Sequence, residues 1–226
     1  MSTTSQSPVN HRVRDAKAAS YRDLILDVAE RELSKHGYER TMVKTVAAEA
    51  AVSLATVYTH FPTKMDLYRA VHDRRLTSLG EALAELKTDR KDPLHGLLAS
   101  MRVYVTFHMT HPTWLGMHLR EGNAWSDADR LLSPEQTKAW NRGIKLMARA
   151  FQAGIDAGVF AFDDPMLLAR TTNAMHQVAL SRWVDLGMKE SVEPVVTRMQ
   201  QRFVRAFCVP QRVPELLRAY GLEAAR

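Results

Sequence analysis

The chain reads as an all-α protein of nine or ten helices. Three observations predict this. Apolar residues recur at three- and four-residue spacing over long segments, and no stretch alternates with the two-residue period of a half-buried strand. Glycine is scarce, at 10 of 226 residues. Hydroxyl and carboxylate residues stand before most of the periodic segments, where a helix leaves its first N–H groups without partners.

Taken in order, residues 1–10 read as disordered, and Arg12, Arg14 and Lys17 lead into a helix of about 18–36. Leu24, Ile25, Val28, Ala29 and Leu33 form its apolar face, and Gly37 is expected to end it as a left-handed C′ residue. Thr41 is the expected N-cap of a short second helix whose inner face is Val43, Val46, Ala47 and Ala50, with Val52 packing inward from the turn. Ser53 caps a third helix of about 54–60. Thr63 with Asp66 makes a capping-box pattern and opens a long helix over 64–86. Asp92-Pro93 starts the next, which Pro112 breaks, and the segment 112–132 is less regular. Ser133-Pro134-Glu135 opens a helix reaching Gly154 and Gly158. Asp163-Asp164-Pro165 caps one running to about Gly187, and Glu193-Pro194 lies near the start of the last long helix, to about Cys208. A short helix near 214–220 closes the chain.

Composition narrows the classes. Hydrophobic residues make up 46% and charged residues 25%, as in globular domains generally. No apolar run approaches the ~20 residues of a membrane span, and MSTTSQSPVNHRVR lacks the apolar core of a signal peptide. One cysteine, Cys208, allows no internal disulfide and no cysteine metal cluster. A cytoplasmic protein that does not engage a membrane is expected. The net charge of +6 permits a nucleic-acid partner. Residues 1–60, however, hold 8 basic against 7 acidic side chains, so placement of a few groups has to matter more than bulk charge.

The stretch TMVKTVAAEAAVSLATVYTHFPTKMDL, residues 41–67, has the form of a helix, a tight turn and a second helix that can enter a DNA major groove. In the second helix Val57 and Phe61 face inward, while Ala55, Thr56, Thr59 and His60 face outward. Small Ala55 permits close approach, and Thr56 offers a hydroxyl and a methyl to base edges. Tyr58 and Lys64 suit phosphates, as do Ser53, Thr41 and Thr45 at helix N-termini.

This stretch resembles the N-terminal domain of TetR-type (TetR/AcrR) transcriptional regulators. The resemblance rests on Gly37-Tyr38, Thr41, Val46-Ala47, Ala50, Val52-Ser53, Thr56-Val57-Tyr58, His60-Phe61, Lys64 and Leu67, and covers roughly residues 20–70. Ala51 stands where the family usually has Gly. If that position needs φ > 0, Ala costs on the order of 1 kcal/mol, so a less strained turn is expected. Met65 stands where an acidic residue is common.

The resemblance implies three parts: a flexible basic arm over 1–17, a helix-turn-helix domain over 18–63, and a larger helical ligand-binding and dimerisation domain over 64–226. It implies a homodimer that binds a double-stranded, near-palindromic DNA operator, most simply as a repressor, with no catalytic residue and no cofactor. A helix-turn-helix activator is the alternative within this reading. The dimer is expected to use the last two long helices, through Ala169, Thr172, Ala179 and Trp183 on one and Val196, Met199 and Phe203 on the other. The middle helices are expected to enclose a small-molecule effector, hydrophobic or aromatic. Its candidate lining is Met101, Tyr104, Val105 and His108; Trp114, Met117 and His118; Ile144, Met147 and Phe151; and Met175 with His176. His108 and His111, with His118, Glu121 or His176, are the alternative start of a metal site and of a helical metal-dependent enzyme, against an expectation of no metal. No phosphate loop, nucleophile elbow or zincin motif accompanies them, and Cys208 is expected to be a buried, inert thiol.

Overall fold

The computed structural model describes residues 8–87, 92–120 and 131–223, and their side chains except those of 8–18 and 120. The expected disorder before Pro8 and the candidate ligand Glu121 fall outside the described residues. Among the described residues the helices are α1 (Pro8–Arg40), α2 (Val43–Glu49), α3 (Leu54–His60), α4 (Lys64–Ala84), α5 (Pro93–Thr110), α6 (Pro112–Arg120), α7 (Pro134–Asp156), α8 (Pro165–Asp185), α9 (Val192–Phe207) and α10 (Val213–Ala219). The all-α architecture is as read from the sequence. An isolated antiparallel bridge, Phe160 with Cys208, ties the loop after α7 to the end of α9.

Several boundaries differ from the expectation. Helix α1 begins at Pro8, about one arm's length before residue 18, so the basic segment at 12–17 is helical. Gly37 does take a positive φ of 72°, but its ψ of 171° is extended, not left-handed helical, and a last helical turn follows to Arg40. Thr41 is not the cap of α2. Its hydroxyl turns inward to the carbonyls of Gly37 at 2.8 Å and Glu32 at 3.2 Å, and Met42 occupies the cap position without a side-chain bond. The irregular segment after Pro112 contains a regular helix, α6, because proline fits the first turn of a helix as well as it ends one.

The turn between α2 and α3 has the bonding of a Schellman motif. The Val52 amide donates to Ala47 O at 3.0 Å, and the Ala51 amide to Ala48 O at 3.1 Å. Ala51 sits there with φ = 51°. The expected relaxation of the turn is therefore overturned: the backbone keeps the left-handed residue and alanine bears its strain. Ser53 then caps α3, accepting from the Thr56 amide at 2.9 Å, and Thr63 with Asp66 forms a complete capping box at α4.

Two apolar cores result. The first joins α1–α4, through Ile25, Leu33, Val46, Val57, Phe61 and Val71, and recruits Phe107, Trp114 and Met117 from α5 and α6. The second joins α5 and α7–α10, with Phe151, Phe160, Phe203 and Phe207 ring to ring at 4.9–6.1 Å. A Cβ on Gly154 would lie 2.2 Å from the Phe160 ring, so this close approach needs glycine. Polar ties fix the helices between cores. Gln136 Nε2, at the start of α7, donates to Arg69 O at 2.9 Å and Asp73 Oδ1 at 2.7 Å on α4. Buried Glu30 on α1 accepts from Arg74 at 2.9 Å and from Arg75 at 2.9 and 3.0 Å on α4, and Arg74 also reaches Asp27 at 2.7 Å. No described helix is long and apolar enough to cross a membrane.

Candidate nucleic-acid interface and buried ring cluster

The face of α3 is set by what holds the helix from behind. Val57 and Phe61 are buried in the first core, and the Arg22 guanidinium of α1 stands 4.9 Å over the Phe61 ring. That pinning leaves Ala55, Tyr58 and Thr59 exposed and Thr56 and His60 half-buried. Ser53 and Thr56 hydroxyls are 2.7 Å apart, and the Thr59 hydroxyl donates to Ala55 O at 2.8 Å. The outward row expected from the sequence is thus formed by one short, capped helix.

The nine expected contact residues are not equivalent. Thr41 is buried and its hydroxyl is spent on two carbonyls, so it presents nothing to a phosphate; this corrects its expected role. Lys64 donates to Glu39 O at 3.0 Å and lies 4.6 Å from the Tyr38 ring centroid, which anchors the start of α4 to the end of α1. Thr45 is half-buried on α2. Three outward residues were missed: Lys44 on α2, Met42 before it, and Leu54 at the first position of α3, the last two 52% and 42% exposed. Lys44 lies between the buried Val43 and Val46, so helical phase alone would have found it.

In the C-terminal half, the expected lining divides. Met101, Val105 and Phe151 are packed into the second core and Met117 into the first; these four are core residues, because each stripe faces a neighbouring helix of its own chain. Ile144, Met147 and Met175 pack half-buried at the edge of the second core. Five residues do meet. The rings of His176, Tyr104, His108 and Trp114 follow one another at 4.7, 4.2 and 4.7 Å, with interplanar angles of 23–35°. His118 lies 6.3 Å from His108 and 6.5 Å from Trp140.

The polar edges of this stack are informative. His108 Nδ1 donates to Tyr104 O at 2.8 Å. Burial pushes the pKa values of His108 and His176 down to about 3 and about 4 and lowers that of His118. These imidazoles are neutral near pH 7. Four buried nitrogens, Trp114 Nε1, His118 Nε2, Asn173 Nδ2 and His176 Nε2, have no hydrogen-bond partner among the described residues. Asn173 stands one turn before His176 on α8 and was missed by the sequence reading. It looked like an ordinary polar position, and only its 4% exposure marks it.

Of the His108–His111 alternative, Glu121 lies outside the described residues, and the two rings are held through Nδ1, which leaves Nε2 as the nitrogen a metal would take. Each ring is bound through Nδ1 to the carbonyl one turn back, His108 to Tyr104 and His111 to Phe107 at 2.7 Å, and His111 leans on the Phe107 ring at 4.3 Å. Among the described residues no three His, Cys, Asp or Glu side chains gather as metal ligands. Cys208 is buried, and desolvation pushes its thiol up to about 12.

The expected dimer residues are also corrected. Ala169, Thr172, Trp183, Val196, Met199 and Phe203 are at most 6% exposed within the single chain, and Ala179 packs against the same core. The outward face of α8 instead carries Leu167, Val178 and Leu186, exposed at 52%, 68% and 53%.

Comparison with known proteins bears on the helix-turn-helix unit and on the fold. Residues 25–71 match the family described as bacterial regulatory proteins, tetR family. An uncharacterised helix-turn-helix regulator of Bacillus subtilis, YvkB, is 38% identical over 72 residues, which span 31% of this chain and 38% of that relative. The transcriptional repressor SCO4008 of Streptomyces coelicolor is 21% identical over 170 residues, 75% of this chain and 80% of the relative. The crystal structure of a tetR family transcription regulator from a Shewanella species superposes with a TM-score of 0.67 at 18% identity, over 84% of this chain and 98% of the other. The matched segment contains the whole α2–turn–α3 unit and the parts of α1 and α4 packed behind it, and over these residues the chain is similar to the tetR family of bacterial regulatory proteins.

Proposed function

We propose that the protein is a cytoplasmic, homodimeric repressor that holds a near-palindromic operator and releases it when a small molecule enters the buried ring cluster. The observation that carries this reading is the outward row of α3, exposed at Ala55, Tyr58 and Thr59 and half-buried at Thr56 and His60, locked by a cap at one end and two buried residues behind. Such a row reads bases; phosphate contacts then fix its register. Tyr58, Lys44, Ser53 and Thr45 are the proposed phosphate partners, with Lys64 joining if its bond to Glu39 O is shared. Ala55, Thr56, Thr59 and His60 are the proposed base-facing group.

One α3 has few contacts and the surrounding charge is slight, so a second copy must add its own. A two-fold dimer places two α3 helices about 34 Å apart, one turn of duplex or a multiple of it. We assign the dimer face to the outer side of α8 with α9 beside it. The sign of regulation is taken from the Streptomyces relative, which is a transcriptional repressor.

The effector's leverage comes from its position. Trp114 touches the stack through His108 and belongs to the core that holds α1–α4, so a displacement of the stack is felt by the DNA-binding unit. A ligand shifts this equilibrium only by binding the released state more tightly than the bound one. The test is selection of duplexes from a random pool, followed by titration at about 50 and 200 mM salt. A two-fold symmetric motif, with affinity falling steeply with salt, is the expected result. Failure to enrich any symmetric motif would contradict the dimeric reader.

A further inference from the structure

We infer that the effector is an uncharged, planar aromatic compound with hydrogen-bonding groups on its edge, such as ring carbonyls, phenols or ring nitrogens. This rests on the reading of the ring cluster as the effector site and goes on to its chemistry. The faces come first. His176, Tyr104, His108 and Trp114 touch at 4.2–4.7 Å and lie within 35° of their neighbours' planes, so a guest that extends this series is a further flat ring and not a branched or globular body.

The edges decide what the guest carries. Trp114 Nε1 can only donate, and the Asn173 amide nitrogen can only donate. His118 Nε2 and His176 Nε2 each donate or accept according to tautomer. All four atoms are buried and have no partner among the described residues, while the residues of Trp114, Asn173 and His176 are 2%, 4% and 3% exposed. A saturated hydrocarbon or acyl chain placed against them would leave the donors unpaired, a penalty a carbonyl or ring nitrogen removes. A cation meets the hydrogens of Trp114 Nε1 and the Asn173 amide, and only the two histidines can turn an acceptor towards it. Among the described residues an anion finds no countercharge: no described carboxylate, lysine or arginine contributes to the shifts of His108, His118 and His176, which come chiefly from desolvation. Neutral acceptors within a flat ring system satisfy all these conditions.

The test uses the full-length protein and four probes titrated by calorimetry: coumarin, naphthalene, 2-naphthoate and decanoate. Coumarin and naphthalene have nearly the same size and flatness and differ in the acceptor edge. Coumarin is expected to bind about tenfold or more tightly than naphthalene, and both charged probes more weakly than coumarin. The variant Asn173→Leu, checked for an unchanged melting curve, is expected to shrink the coumarin preference while leaving naphthalene affinity within about twofold. Equal affinity of coumarin and naphthalene in the unaltered protein overturns the inference, as does preference for decanoate or 2-naphthoate, or no binding of the uncharged rings up to their solubility limits. A structure at saturating coumarin in which only water meets the four nitrogens also overturns it. Release of DNA is scored separately with the same compounds. Release by decanoate alone sinks the ligand class and keeps the regulator; coumarin binding that leaves DNA affinity unchanged keeps the class and sinks the site's role as the effector switch.

Discussion

Single positions in the DNA-binding unit divide into those whose side chains work outward and those whose backbones do. Tyr58 is 44% exposed on the outer face of α3. Tyr58→Ala should therefore lower operator affinity about tenfold, the worth of one hydrogen bond to a charged phosphate, with Tm unchanged. Equal affinities in a fluorescence titration would remove Tyr58 from the contact set. Ala51 is the opposite case. It is exposed, so its methyl contributes little packing, but its φ of 51° is a conformation that glycine adopts without cost. Ala51→Gly should stabilise the chain by about 0.5–1 kcal/mol, the left-handed strain relieved less the extra entropy glycine gives the unfolded chain. A lower Tm for this variant would show that the turn does not strain alanine. The sequence named the position but not its dihedral, because backbone φ is fixed by the bonds Val52 and Ala51 make to α2 and not by the residue placed there. Thr41 failed for a related reason: a hydroxyl near a helix start suits a cap, and the carbonyls of Gly37 and Glu32 in α1 competed for it and won.

Between helices, the reader of DNA is held to the rest of the molecule by two kinds of contact. One is ionic: Glu30, buried on α1, faces Arg74 and Arg75 of α4. Glu30→Gln keeps the shape and removes the charge, leaving two guanidinium groups partly buried against a neutral amide. A loss of about 2–3 kcal/mol is expected, since charge-assisted bonds are the strong ones and both arginines are about a fifth exposed. Urea unfolding with an unchanged midpoint would show that solvent replaces the carboxylate. The other contact is aromatic and runs from Tyr38 through Tyr68, His72 and Trp114 to His108, at 5.2, 4.6, 6.4 and 4.7 Å. Apart from α6, helix existence, order and most caps were readable in advance, because periodicity and capping are local. The ionic clamp and the ring series were not, since Asp27 and Glu30 lie more than forty residues from their partners and nothing local marks the pairing.

The molecule as a whole carries two consequences of what it buries. His72, His108 and His176 are pushed down to about 3, 3 and 4 by desolvation, so the folded chain stays unprotonated there while the unfolded chain begins to take up protons near pH 6.5. Stability present above pH 6.5 is therefore lost as pH falls towards 4, by about 1.4 kcal/mol per pH unit for each group. Urea midpoints at pH 7.5, 6 and 5 should fall steeply, and a flat series would mean the rings are accessible to water. The second consequence concerns association. An amphipathic stripe says which side of a helix is buried but not by which chain, and this is why Val196, Met199 and Phe203 were read as dimer residues when their own protomer covers them. Phe203→Ala should cost about 3–5 kcal/mol as a core truncation and impair folding itself. Val178 is 68% exposed on the outer face of α8, so Val178→Asp should leave the protomer's stability within about 0.5 kcal/mol. In a dimer the same carboxylate would be buried against its symmetry mate without a partner, which no stable interface tolerates. Sedimentation should find Val178→Asp monomeric and folded, and its operator affinity should drop by about a hundredfold or more as the second half-site becomes a separate binding event. A folded variant that still sediments as a dimer would place the two-fold axis elsewhere than α8.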